Sequence, residues 1–177
     1  TRVRSSAASD VYKRQAPLKG LPDFLDLAVT LALGDAREEL ENIGVHHTAT
    51  ASPGGSGALF LAAANYADRG SKVLLRDRHW GPYDGFLAGC GLEIATYPLL
   101  GASSGLDLPA LEAGLGNLAQ SQSKVMSWLN DPAHNPTGLS LTSEERMSVL
   151  RAFSKAAMEH EDAVSYTHLT LPTILRV

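Results

Sequence analysis

Apolar positions along the chain switch between two spacings. Phe24, Leu25, Leu27, Ala28, Leu31 and Ala32 recur with a helical period behind Pro22, which suits a first helical turn, and Gly34 stops the run. Residues 35–42 predict a short charged helix closed by Gly44. Val45-His46-His47-Thr48-Ala49-Thr50-Ala51 reads as a strand, and residues 58–64 as the body of a helix. Residues 72–75 predict a short strand, residues 82–89 a helix with Tyr83, Phe86 and Leu87 inward, and residues 92–97 an alternating strand. Asp107 can cap a helix through Leu108, Leu111 and Leu115. Val125-Met126-Ser127-Trp128-Leu129 has the continuous apolar character of a buried strand. Residues 144–159 make a last amphipathic helix, with Met147, Leu150, Phe153 and Met158 predicted inward. Strands thus alternate with helices, which predicts an α/β fold: a mainly parallel sheet with helices on both faces.

Three loops in this pattern carry polar chemistry. After the last strand comes Asn130-Asp131-Pro132-Ala133-His134-Asn135-Pro136-Thr137-Gly138, followed by Thr142 and Glu145 at capping-box spacing. Pro132 and Pro136 fix their own φ and hold Asp131 and Asn135 extended, so Asn135 offers an amide donor and acceptor from a stiff loop. A rigid turn without a ligand accounts for the same residues equally well. Ser52-Pro53-Gly54-Gly55-Ser56-Gly57 precedes a helix, where backbone N–H groups and the helix N-terminus suit an anion, although tight packing explains many such turns. Trp80, at the end of a strand and braced by Gly81 and Pro82, is placed to stack on a planar ligand or to cap the core. These loops follow predicted strands, and in open α/β sheets such loops line one edge.

His134-Asn135-Pro136-Thr137-Gly138 after a hydrophobic strand resembles the signature of class I aminotransferases that use pyridoxal 5'-phosphate, in particular the aspartate and aromatic branch. Ser52-Pro53-Gly54-Gly55-Ser56-Gly57-Ala58-Leu59 is similar to that family's phosphate cup, and Gly20-Leu21-Pro22-Asp23-Phe24 to the segment leading into its large domain. The resemblance covers nearly all of residues 16–163 and implies a partial large domain of fold-type I. It implies that Gly55 and Ser56, with Gly54 beside them, hold the cofactor phosphate. Trp80 would lie against the pyridine ring, and Asn135 would bond the ring's 3'-oxygen and reach the substrate carboxylate. His134 and Thr137 would support the loop. The implied reaction moves an amino group between an amino acid and a 2-oxo acid, and the implied full-length parent is a homodimer.

Part of the family's pattern has no match. The Schiff-base lysine, the aspartate partner of the pyridine nitrogen and the substrate-binding arginine all lie downstream of the last helix in the family. Lys124 and Lys155 do not fit the lysine's motif. No catalytic residue is assigned, and the chain alone is expected not to transaminate. A tyrosine that reaches the neighbouring subunit's phosphate would fall near Gln15 and is not carried over. Other readings are a lyase or decarboxylase on the same cofactor fold, or a non-catalytic phosphate-binding remnant.

Composition narrows the class further. The 177 residues are 44% apolar and 19% charged with net charge −4, which gives no general attraction to nucleic acid or anionic membrane. No apolar run is long enough to span a bilayer, and Thr1-Arg2-Val3-Arg4 is not followed by a signal peptide's apolar core. The single cysteine, Cys90, excludes an internal disulfide and fits a reducing, cytoplasmic setting; it has no nucleophile's partners nearby. His46 and His47, pointing to opposite faces of the expected strand, are read as structural, and no metal site is expected. Residues 9–15 and 164–173 resemble translated sequencing adapter. Residues 1–15 and 164–177 are therefore expected to be foreign flanks around an interior fragment, 16–163.

Overall fold

The structure, a computed structural model, describes residues 17–101 and 105–159, and the backbone of residues 165–169. The expected foreign segment 1–15 and most of the loop at 101–105 lie outside the described residues. Two compact units divide the chain at Ala58.

In the first unit, α1 (Pro22–Leu33) and α2 (Ala36–Asn42) have the bounds that their proline and glycine punctuation implies. Gly34, at φ 52°, closes α1 and donates its N–H to the Thr30 carbonyl. Arg37 on α2 donates to Asp26 and Thr30 of α1 at 2.7 Å each and to Glu41 at 3.2 Å. These bonds are exposed and screened by water, so they add little to stability. Two expectations fail here. The apolar face of α1 is not buried, with Leu31 83% exposed, because the neighbouring α2 is charged and offers no apolar surface. Residues 45–51 form no strand, since no neighbouring strand among the described residues of the unit supplies a ladder; Ala51 donates its N–H to the Lys19 carbonyl.

The second unit is organised around a four-stranded parallel sheet. Its elements are β1 (Lys72–Arg76), α4 (Pro82–Gly89), β2 (Glu93–Tyr97), α5 (Leu108–Ser121), β3 (Val125–Leu129), α6 (Ser143–Glu159) and β4 (Ser165–Leu169). They follow α3 (Gly54–Tyr66), which begins in the first unit. Strand order is β2-β1-β3-β4. Alternation along the strands sorts the core into two layers. Leu74, Val125 and Leu129 pack with Leu111 and Leu115 of α5 and with Val149 and Phe153 of α6. Val73, Leu75, Met126 and Trp128 face Leu59 of α3 and Tyr83 and Leu87 of α4. Every residue of β3 is buried, and the Ser127 hydroxyl in its middle donates to the Leu74 carbonyl at 2.9 Å. At the amino ends of β1 and β3, the Gln122 amide accepts from Lys72 N–H and donates to the carbonyls of Lys72 and Lys124.

α6 starts as its capping box predicts: Glu145 N–H donates to Thr142 Oγ1, and Thr142 N–H to Glu145 Oε2. Its buried stripe is Val149, Ala152, Phe153 and Ala156, whereas Met147 and Leu150 are exposed and Met158 is 81% exposed. The sequence pattern favoured the largest apolar residues. Of the four residues expected inward only Phe153 is buried, and Val149, Ala152 and Ala156 complete the stripe. β4 falls within residues 164–177, the expected foreign flank. Its run of Tyr and Thr has strand propensity, and it pairs along the edge of β3, with Val125 opposite Ser165.

Candidate functional site

Two loops leave the carboxyl ends of β1 and β3, and aromatic packing joins them. Beyond β1, Asp77 accepts from Leu99 N–H at 2.9 Å, and His79 donates Nδ1–H to the Arg76 carbonyl while pairing through Nε2 with Asp84. Trp80 follows and is half-buried. Its indole meets Tyr83 edge-on at 5.5 Å and tilts against Phe86 at 6.1 Å. Tyr83 is buried, sits edge-on to Trp128 at 5.0 Å and accepts from the Asn130 amide at 3.4 Å. Burial pushes the Tyr83 phenol up, with the Asn130 bond opposing, so it stays protonated at neutral pH.

The loop after β3 is held by its own bonds. Asp131, 2% exposed, accepts from Leu141 N–H at 2.7 Å and from Arg146 Nε at 2.6 Å. Ala133 N–H donates to Ser140 Oγ, His134 N–H to the Leu139 carbonyl, and Gly138 N–H to the His134 carbonyl. The buried His134 ring bonds Thr137 Oγ1 at 2.9 Å, in keeping with the supporting part expected of both. The bonds preceding Pro132 and Pro136 are cis. Asn135 is exposed, and among the described residues its amide has no partner. A polar amide is thus presented to solvent from a braced loop.

His134 links this loop to pH. Burial pushes its imidazole down, the Arg76 charge and His79 push the same way, and Asp131 opposes. The unfolded chain takes up this proton near the ordinary value of about 6.5, the folded one only at lower pH. His134 therefore contributes stability that is complete above about pH 6.5 and is lost as the pH falls from there through the depressed native value. Melting temperatures recorded from about pH 7 down to about 5 should fall in the native chain and fall less steeply in His134→Gln.

Gly54, Gly55 and Ser56 belong to the first unit. There the helix begins at Gly54 rather than at Ala58, and no strand precedes it, so the glycines form the first helical turn. Gly54 has φ +70°, and a Cβ on Gly57 would lie 2.6 Å from the Pro53 ring. First-turn N–H groups have no intrahelical acceptor, and the helix N-terminus is electropositive. Ser56 is exposed, with no partner for its hydroxyl among the described residues. This turn can hold an anion.

Sequence reasoning gave no part to Tyr83, Asn130 or Arg146. Tyr83, three residues after Trp80, carried a weak signal; the pairing of Arg146 with Asp131 carried none. His47 lies 3.1 Å from Glu41, but no group of three metal-ligating side chains occurs among the described residues. The Cys90 thiol is pushed up by burial, which disfavours a nucleophile. No helix among the described residues is long and apolar enough to cross a membrane.

Residues 3–158 match the family model described as aminotransferase class I and II. An aromatic-amino-acid aminotransferase of Pseudomonas aeruginosa is 35% identical over 122 residues, covering 68% of this chain and 29% of that protein. The cytoplasmic isozyme 2 of aspartate aminotransferase from Arabidopsis thaliana is 32% identical over 154 residues, covering 85% and 37%. A solved aminotransferase structure from Anaerococcus prevotii superposes with a TM-score of 0.78 at 22% identity, over 93% of this chain and 40% of that one, which shows a shared fold. A Burkholderia pseudomallei aromatic-amino-acid aminotransferase, described as covalently bound to pyridoxal phosphate, has a TM-score of 0.64 at 22% identity, over 92% and 40%. The chain spans about a third of the length of the curated relatives it matches.

Proposed function

Because this chain belongs to the class I and II aminotransferases, a pyridoxal-phosphate-dependent family, we propose that it is part of an enzyme that moves an amino group between an amino acid and a 2-oxo acid. Its fold is part of a fold-type I large domain. Pyridoxal phosphate, when bound, supplies an electron sink for the carbanion left by loss of the α-proton. The chain's own residues fit such a group, and the observation that carries the reading lies in the second unit, where the unspent amide of Asn135 and the half-buried indole of Trp80 stand on the loops that follow β3 and β1.

In this proposal Gly54, Gly55 and Ser56 grip the phosphate through first-turn N–H groups and a hydroxyl. Trp80, braced edge-on by Tyr83, would lie against the pyridine ring. Asn135 bonds the 3'-oxygen and the substrate carboxylate. Among the described residues neither Lys124 nor Lys155 is placed to carry the proton: Lys124 lies at the amino end of β3, opposite the loop, paired with Asp68 at 2.9 Å, and Lys155 is exposed on α6. The chain alone therefore binds cofactor without turning over. Foreign flanks at 1–15 and 164–177, a homodimeric parent, a cytoplasmic location and the absence of a nucleic-acid or membrane partner belong to the same proposal. Pyridoxal phosphate titrated into the purified chain should quench tryptophan fluorescence saturably, with no 2-oxo acid formed from added amino acid. Robust cofactor-dependent turnover would overturn the assignment of the proton carrier to residues outside this chain.

A further inference from the structure

The mechanism above leaves one buried cation unused. Arg76 closes β1 and is 4% exposed, and its Nε and Nη2 have no hydrogen-bond partner among the described residues. Buried guanidinium N–H groups are costly unless satisfied, so each needs an explanation. Arg76 lines a cleft of about 330 Å³ whose other walls include Leu99, Leu106, Leu139 and Leu141. Leu106 and Leu141 pack on the core layer of Leu74, and Arg76 alternates onto that same side of the sheet. Trp80 packs on the opposite layer.

The remaining polar groups of the cleft set what it accepts. Glu145 lines the same cleft and feels the Arg76 charge, but no ion pair joins them among the described residues. Its carboxylate instead accepts from Leu106 N–H at 2.9 Å and Thr142 N–H at 2.8 Å, and these bonds pull it below the ordinary carboxylate range. Ser140 and Thr142 use their oxygens as acceptors for Ala133 and Glu145 N–H, which leaves both O–H groups as donors. Tyr97 is buried, hydrogen-bonds the Arg76 guanidinium and, like His134, feels its charge, but neither supplies a negative counter-charge.

We propose that this cleft is a second binding site, separate from the cofactor residues, for a small monocarboxylate with a short branched apolar chain. The carboxylate would engage Arg76, the chain would lie among the leucines, and Glu145 would disfavour a second negative charge on the ligand. The volume is at the low end for ligand pockets, in keeping with a small molecule.

The probe is 4-methylpentanoate titrated into the purified full chain and followed by amide NMR, with 4-methylpentanamide as an uncharged isostere and inorganic phosphate as a dianion. Saturable shifts at Leu99, Leu106, Leu141 and Glu145 are expected with the acid. The amide and phosphate should bind at least about tenfold more weakly, the loss of one charge-assisted hydrogen bond. Arg76→Met should abolish acid binding while its melting curve stays cooperative. If that variant fails to fold, the native chain's preference for acid over amide and phosphate decides alone. Equal binding of acid and amide, tighter binding of phosphate, retained binding in a folded Arg76→Met, or no shifts at the cleft would each overturn the proposal.

Discussion

Arg146→Ala should destabilise the chain by about 3 kcal/mol, because breaking a buried ion pair strands the charge that remains. Asp131 is the stranded member: it is 2% exposed and would keep only the Leu141 N–H. Arg146 itself is partly exposed, with 42% of its side chain accessible, so the reverse substitution leaves a cation that can turn to solvent. Asp131→Ala should therefore cost less from stranded charge, though it orphans the Leu141 N–H. Arg146→Lys should recover part of the loss, since the Nε bond at 2.6 Å uses a donor that lysine cannot place in the same position. Urea denaturation would show a lower midpoint at unchanged slope. A loss below about 1 kcal/mol would mean the Leu141 N–H satisfies the carboxylate unaided.

The second large effect concerns the cofactor. Trp80→Ala should weaken pyridoxal phosphate binding by about tenfold or more, since ring stacking contributes about 0.5–1.5 kcal/mol beyond the apolar area it covers. Trp80→Phe should retain most of the affinity, because Tyr83 and Phe86 would still brace an aromatic ring from two sides. Calorimetry on the purified chain would measure both. Unchanged affinity in both Trp80→Ala and Asn135→Ala would favour a phosphate-binding remnant over a cofactor site.

Sequence carried the local structure well where punctuation was strong. Pro22 with Gly34, Pro82 with Gly89, and the Thr142–Glu145 box set helix ends through backbone chemistry that acts over a few residues. The alternate core layers of β1 and β3 followed from apolar runs bounded by loops. Reading failed where a partner distant in sequence decides the outcome. Residues 45–51 have strand-forming residues but no strand among the described residues to pair with, and the inward stripe of α6 depends on the neighbours it packs against. For the candidate site, the motifs named Gly54, Gly55, Ser56, Trp80 and Asn135. The bracing by Tyr83, Asn130 and Arg146, and the buried Arg76 with its unpaired Nε and Nη2, arise only when β1 and β3 come side by side.

Gln122 bears on how that meeting stays in register. Parallel strands lack the tight hairpin that fixes alignment in antiparallel pairs, and a slip of one residue sends every side chain to the other face. In this sheet such a slip of β1 would exchange Leu74 with Leu75 and carry Arg76 to the Trp80 side. The Gln122 amide spans the two strand starts like a short rung, touching Lys72 through both N–H and carbonyl. A one-residue shift would present it with Ser71 or Val73 and break two bonds at once. Gln122 thus acts as an alignment pin at one end of the sheet, fixing which residues emerge at the other.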